Sequence, residues 1–207
     1  MNNDKLIISV GRQLGSGGRT IAKMLADEFG CKFYDREVLS LAARESGFSP
    51  EFFEKNDERK GFLDQIFHMY MPFISDSSFY DNGLSQENLF RIQSDAIRKA
   101  ADESSCVFVG RCADYVLRDN PNMVTVFITA DLADRISNVC KRRNCSAEEA
   151  RKLIEDKEST RSSYYNYYSG KTWGASASYD LCVNASRLGA EGTKDFIADF
   201  IRRRMRR

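Results

Sequence analysis

The chain has 207 residues, 42% of them hydrophobic and 29% charged, a balance that excludes a disordered or fibrous protein and leaves room for one domain with a sizeable core. A formal net charge of +1 makes no global case for nucleic acid as a partner, and no apolar run approaches the ~18 residues that suggest a membrane span. Met1-Asn2-Asn3-Asp4-Lys5 leads straight into an apolar strand with no signal peptide in view, so the expected location is cytoplasmic.

Leu6-Ile7-Ile8-Ser9-Val10 reads as a buried strand. A turn with Gly11, Gly15, Gly17 and Gly18 follows, and from Arg19 onward Ile21, Met24, Leu25 and Phe29 fall on one helical face. Strand, glycine loop and helix together hold a phosphate well. Glycines let backbone N–H groups come close to the oxygens, and the helix N-terminus adds partial positive charge. The close Gly18-Arg19-Thr20 resembles the Gly-Lys-Ser/Thr ending of a P-loop, with Gln13 where the first glycine would fall and Arg19 in place of lysine. An ordinary glycine-rich strand-to-helix turn is the alternative for this string taken alone.

Further along, Cys31 to Tyr34 reads as a second strand ending at Asp35. Helices are predicted over 36–46, from Ser49-Pro50-Glu51 and over 62–71, where Pro72 stops the pattern. A long helix begins at Ser85 and runs to about Glu103. Cys106 to Val109 is a third strand running into Gly110-Arg111, with a short helix to Leu117; no clear acidic residue of the Walker B kind ends this strand. Met123 to Thr129 is the fourth strand, followed by a helix over 131–143. Ser146-Ala147-Glu148-Glu149 is a capping-box string that opens a long polar helix to about Tyr168. Tyr179 to Asn184 is the fifth strand, and the last helix carries Phe196, Ile197, Phe200 and Ile201. Strands alternating with helices predict a parallel sheet covered on both faces. Residues 36–104 and 130–178 are longer than ordinary crossovers, and such excursions usually carry function.

The six cysteines, at 31, 106, 112, 140, 145 and 182, form no C-x-x-C pair, and three lie in or beside apolar runs as small hydrophobes. The sole histidine, His68, has no cluster of metal-ligating residues near it in sequence and reads as a packed or surface residue. Five of the last six residues are arginines, which suit the end of a helix; without them the balance of 26 basic to 30 acidic residues turns acidic.

The order of strand, GSGGRT loop, Tyr34-Asp35-Arg36, Val109-Gly110-Arg111, a charged helix and the string YDLCVNASRLG from Tyr179 is similar, over essentially the whole chain, to the cytidylate-kinase-like family of P-loop proteins. The resemblance implies an α/β fold of three layers (α/β/α) with a five-stranded parallel sheet, a helical acceptor-binding lobe over 36–104 and a lid over 141–177. The remaining stretches, 1–35, 105–140 and 178–207, form the core of a single domain. It implies ATP as donor with Mg2+, and a nucleoside monophosphate, foremost CMP, as acceptor. Another small phosphate acceptor, or a nucleotide-binding protein without catalysis, is the alternative.

On this reading Gly15, Ser16, Gly17, Gly18, Arg19 and Thr20 bind the donor phosphates, and the Thr20 hydroxyl faces magnesium. Arg19, Lys157 and Arg161 form the catalytic set. Lys157 and Arg161 are four apart and share a helix face, on which two cations suit a transferring phosphoryl group. Asp35, Arg36, Arg111 and Asp114 are placed at the acceptor, the arginines for bidentate contact with its phosphate. Cytidylate kinases read Gly-Arg-Asp after the third strand. Here the string is Gly110-Arg111-Cys112-Ala113-Asp114, with the acid displaced. The cluster Tyr164, Tyr165, Tyr167 and Tyr168 is read as packing.

Overall fold

A computed structural model describes residues 5–35 and 86–206. The chain falls into two compact units, one of residues 1–35 with 100–207 and one of residues 36–99. The sheet belongs to the first unit. Its strands are β1 (Ile7–Arg12), β2 (Lys32–Tyr34), β3 (Cys106–Val109), β4 (Met123–Thr129) and β5 (Leu181–Asn184). They run parallel in the order β2-β3-β1-β4-β5. Among the described residues the α-helices are α1 (Gly18–Phe29), α2 (Gln86–Glu103), α3 (Ala113–Val116), α4 (Leu132–Arg143), α5 (Ala147–Ser169) and α6 (Ala185–Met205). In the second unit, the described part of α2 carries an Arg98–Asp95 ion pair on its exposed side.

The central position of β1 follows from its apolar sequence. Ile7, Ile8 and Val10 are fully buried, and the strand is bonded to β3 on one side and β4 on the other. Ile8 and Val10 share one face with Val107, Val109, Val124, Val126 and Ile128. Against that face pack Ile21 and Leu25 of α1 and Ile197 and Ile201 of α6. Each such side chain contributes about 1.5–3 kcal/mol when removed from water. The second packing centre lies between α4 and α5, through Val139, Ala150 and Ile154.

Local signals set the helix ends. Gly30 closes α1 in the left-handed region, its N–H donating to the carbonyls of Ala26 and Asp27. Ser146 and Glu149 form the capping box expected at the start of α5. The Asn184 side chain accepts from the Ser186 N–H to start α6, and Gly189 interrupts that helix with φ 67° and ψ −179°. The sheet places the C-terminal ends of β1, β2 and β3 side by side. Ligands of open parallel sheets bind at that edge.

A charged tether joins α1 to α6. Glu28 accepts from Lys194 at 2.9 Å and from Arg202, and these partners hold its carboxyl below the ordinary value of 4.5. A carboxylate with a lowered folded-state pKa stabilises above its unfolded value and loses that contribution as the pH falls through the folded value. Glu28→Gln should therefore lower the unfolding free energy at neutral pH by roughly 1 kcal/mol in urea denaturation. The gap between variant and parent should close as the pH is taken below 4.5.

Candidate active site

The loop after β1 has few choices of conformation. Gly15 (φ 84°) and Gly17 (φ 78°) are both left-handed, and α1 starts at Gly18. The Ser16 hydroxyl donates to the Gln13 carbonyl at 2.9 Å and accepts from the Gly18 N–H at 3.3 Å, folding the loop back on itself. The first-turn amides of α1, those of Arg19 and Thr20 among them, have no preceding helical carbonyl to bond. Such amides and the helix N-terminus together receive anions.

The outer side of the loop is clamped by the two helices of the second excursion. Arg135 of α4 is 5% exposed; its Nε donates to the Leu14 carbonyl at 3.0 Å, and its Nη2 pairs with Glu158 of α5 at 2.5 Å. Glu158 Oε1 also accepts from the Leu14 N–H at 3.0 Å, and Asn138 Nδ2 donates to the Gly15 carbonyl at 2.9 Å. Arg161, one turn beyond Glu158, donates from Nη1 to the Arg12 carbonyl at 3.3 Å. Sequence reasoning misses Arg135, Asn138 and Glu158. Arg135 and Glu158 show there only as charge at helical spacing, which solvated helices share, and Asn138 only as a polar residue on the helix of Arg135.

At the inner side lies a cluster of arginines. Arg19 is largely exposed; its Nε donates to Asp35 Oδ2 at 2.5 Å, and its guanidinium carbon sits 5.7 Å from the centre of the Phe33 ring. Asp35 is buried at the end of β2. Arg12 closes β1, and its Nη2 stands 3.7 Å from Asp35 Oδ1, an ion pair too long for a hydrogen bond. Burial above all, and then the charges of Arg161, Arg111 and Arg19, pull the Arg12 guanidinium down to about 9, with Asp35 opposing. At neutral pH it keeps its charge. Burial likewise lowers Arg161, with Glu158 and Asp35 opposing and Arg111 and Arg142 adding to the shift.

Arg111 enters this cluster from a strained turn. Gly110, Arg111 and Cys112 are left-handed in succession, with φ of 76°, 61° and 53°. Two non-glycine residues in that region carry a conformational cost of order 1–3 kcal/mol each. The buried Cys112 side chain and the start of α3 hold the turn in place.

The remaining sequence candidates are distributed unevenly. Gly15, Ser16, Gly17, Gly18, Arg19 and Thr20 form one continuous loop and first helical turn, with Thr20 exposed. Asp35, Arg111 and Arg161 meet around Arg12 through the charge interactions above. Lys157 is half-buried on α5, four residues before Arg161. Asp114 is 4% exposed, and its Oδ2 accepts the Tyr165 hydroxyl at 2.6 Å. Burial raises its pKa against the opposing effect of that bond and of the charge of Lys171. Arg36, His68 and the helices expected over 36–46, from 49 and over 62–71 lie outside the described residues. Among the tyrosines, Tyr165 is buried and stacks on Tyr179 with ring centres 6.0 Å apart. Among the described residues no group of three or more His, Cys, Asp or Glu side chains could hold a metal ion.

Gly15 is restricted twice. Its φ is positive, and a Cβ there would stand 2.6 Å from the Arg135 carbonyl oxygen. Gly30 has a similar φ of 62°, but a Cβ there would meet nothing within 4 Å. Gly30→Ala should cost only the left-handed strain, about 1–2 kcal/mol. Gly15→Ala should cost on the order of 3 kcal/mol or more, because α4 must also shift. Thermal and urea unfolding of the two variants side by side measures the difference.

Relatives in sequence and structure agree with this architecture. The cytidylate kinase of Pyrococcus horikoshii is 29% identical over 194 residues, which cover 93% of this chain and 86% of that one. The crystal structure of an uncharacterized protein from Eubacterium ventriosum is 27% identical, covers 95% of this chain and 98% of that one, and superposes with a TM-score of 0.71. A gluconokinase from Sinorhizobium meliloti, 14% identical with a TM-score of 0.55 over 97% of this chain and 94% of its own, shares the fold. The family model described as "Cytidylate kinase-like family" matches residues 7–187, and the chain belongs to that family.

Proposed function

We propose that this protein transfers a phosphoryl group from ATP to a nucleoside monophosphate, with CMP as the first candidate. The observation that carries this reading is the gathering of Arg19, Arg111, Arg161 and Asp35 around Arg12, beside a glycine loop that opens a helix. Phosphoryl transfer asks for positioning and charge neutralisation more than for covalent chemistry. Backbone amides of the 13–20 loop hold the donor phosphates. Arg161, docked on the loop from α5, faces the transferring group, with Lys157 on the same helix. Arg111 and Asp35 serve the acceptor side. Family membership and the activity by which the Pyrococcus horikoshii relative is named support the nucleotide-kinase class.

The donor set suits a metal that arrives with its substrate. With no cluster of acidic or imidazole ligands among the described residues, magnesium would be held by phosphate oxygens and the exposed Thr20 hydroxyl. Bound there, the ion supplies charge neutralisation to the donor phosphates.

A second reading, a different small phosphate acceptor, draws on one observation. The Asp114 carboxylate, the displaced acid of the third-strand motif, is already engaged by the Tyr165 hydroxyl.

Both readings are separated by ADP release from ATP and magnesium across a panel of CMP, dCMP, UMP, AMP and GMP. Acceptor-dependent turnover with CMP is expected. Arg161→Ala should lower kcat by roughly 10²–10³. Turnover with CMP that is unchanged in that variant removes Arg161 from the site. A panel that gives no turnover, beside clear ATP binding, removes the nucleotide acceptor.

A further inference from the structure

The sequence frame that ends Gly18-Arg19-Thr20 assigns the lysine's place in the phosphate loop to Arg19. The backbone marks a different frame. A glycine is required in that motif where the chain turns with positive φ just before the helix. The residue that does so here is Gly17, with φ 78°, whereas Gly18 is already the first residue of α1. Counting from Gly17, the eight-residue string runs from Arg12 to Arg19; Gly18 stands where the lysine would be and Arg19 where the Ser/Thr would be, so the Thr20 hydroxyl lies one residue past the motif.

Gly18 has no side chain, and the space beside it is not empty. A Cβ there would stand 2.6 Å from Arg12 Cβ and 3.2 Å from Arg12 Cγ. Arg12 therefore occupies the path a lysine side chain at position 18 would take. Its guanidinium continues over the end of β3, where a Cβ on Gly110 would collide with Nη1. Two glycines, one on each side, are what make room for this one side chain. The guanidinium has five N–H donors, and its contact with Asp35 at 3.7 Å uses none of them in a hydrogen bond. Arg19 points elsewhere, bonded to Asp35 and lying by Phe33.

We propose that Arg12 is the cation of this phosphate loop: threaded past Gly18 from the end of β1, its guanidinium binds the terminal phosphates of the donor, the role that lysine has in loops ending Gly-Lys-Ser/Thr. Arg19 then belongs to the Asp35 side of the site. An arginine suits the place for a physical reason. Burial and the neighbouring Arg161, Arg111 and Arg19 would strip the proton from a lysine far more readily than from a guanidinium. The inference rests on the phosphoryl-transfer reading and assigns a residue within it.

The test is equilibrium binding of ATP and of inorganic tripolyphosphate by calorimetry, which needs no acceptor. The proteins are the full chain, Arg12→Ala, Arg12→Lys and the double variant Arg12→Gly with Gly18→Lys, with glycine at 12 because alanine would keep the Cβ that lies 2.6 Å from one at position 18. Circular dichroism and thermal melts establish the folded state of each. The parent should bind both ligands. Arg12→Ala should lose roughly tenfold to hundredfold in affinity for tripolyphosphate, the range of a charge-assisted hydrogen bond. The double variant should recover most of that loss, because it returns the cation to the position the motif normally uses. A structural role for Arg12 would not produce this recovery. Three results overturn the inference: a folded Arg12→Ala that binds tripolyphosphate as the parent does, a folded double variant with no recovery, or unfolding of the chain by Arg12→Lys as well as Arg12→Ala. A parent that binds neither ligand overturns the phosphoryl-transfer reading itself.

Discussion

The structure of the site depends on repulsion among like charges that has been left only partly compensated. Arg19, Arg111, Arg161 and Asp35 interact with Arg12 at the C-terminal edge of the sheet. Desolvation of guanidinium groups side by side is unfavourable, which is why burial and mutual charge both lower Arg12. An entering polyanion relieves this, and it does so most when several phosphate oxygens are presented at once. The cluster is held in place by the elements that carry its members and by the side chains that clamp the loop behind it.

Those elements are identifiable. The parallel sheet brings the ends of β1, β2 and β3 to one edge and so places Arg12, Asp35 and the Gly110–Cys112 turn within reach of one another. From the other side, Arg135, Asn138 and Glu158 bond the backbone of Leu14 and Gly15 and fix the loop without using its inner surface. Arg135 is buried and Glu158 half-buried, and removing Glu158 would leave the buried Arg135 guanidinium without its charge partner. The second excursion thus has two functions on one helix. Glu158 anchors the loop, and Arg161, three residues on, faces its interior through the Arg12 carbonyl.

Much of the fold is legible in the sequence because its signals are local. The apolar runs over Cys106–Val109 and Met123–Thr129 are strands with those bounds, and Ser146-x-x-Glu149 caps α5 as its spacing implies. The glycine loop and the helix it opens are legible, but the frame in which a phosphate is proposed to meet them is not. A run of Gly17 and Gly18 fits two alignments, and only the positive φ at Gly17 separates them. Arg12 is hidden because the apolar run stops at Val10, while the hydrogen-bonded strand continues two residues further. Glu158 sits in a charged string that reads equally well as a solvated face. Asp114 is visible as an acid near the edge of the sheet, but its bond to Tyr165, 51 residues away, belongs to packing that no local pattern encodes.

The most direct measurement of the central claim is a crystal structure of the chain grown with magnesium and a nonhydrolysable ATP analogue. The β- and γ-phosphates should lie against the amides of Gly15 to Thr20, with the Arg12 guanidinium on the terminal phosphate and Arg161 beside it. Phosphates seated instead in the cleft lined by Arg118, Lys171 and Arg204, or in the loop without contact to any of the clustered arginines, would contradict it.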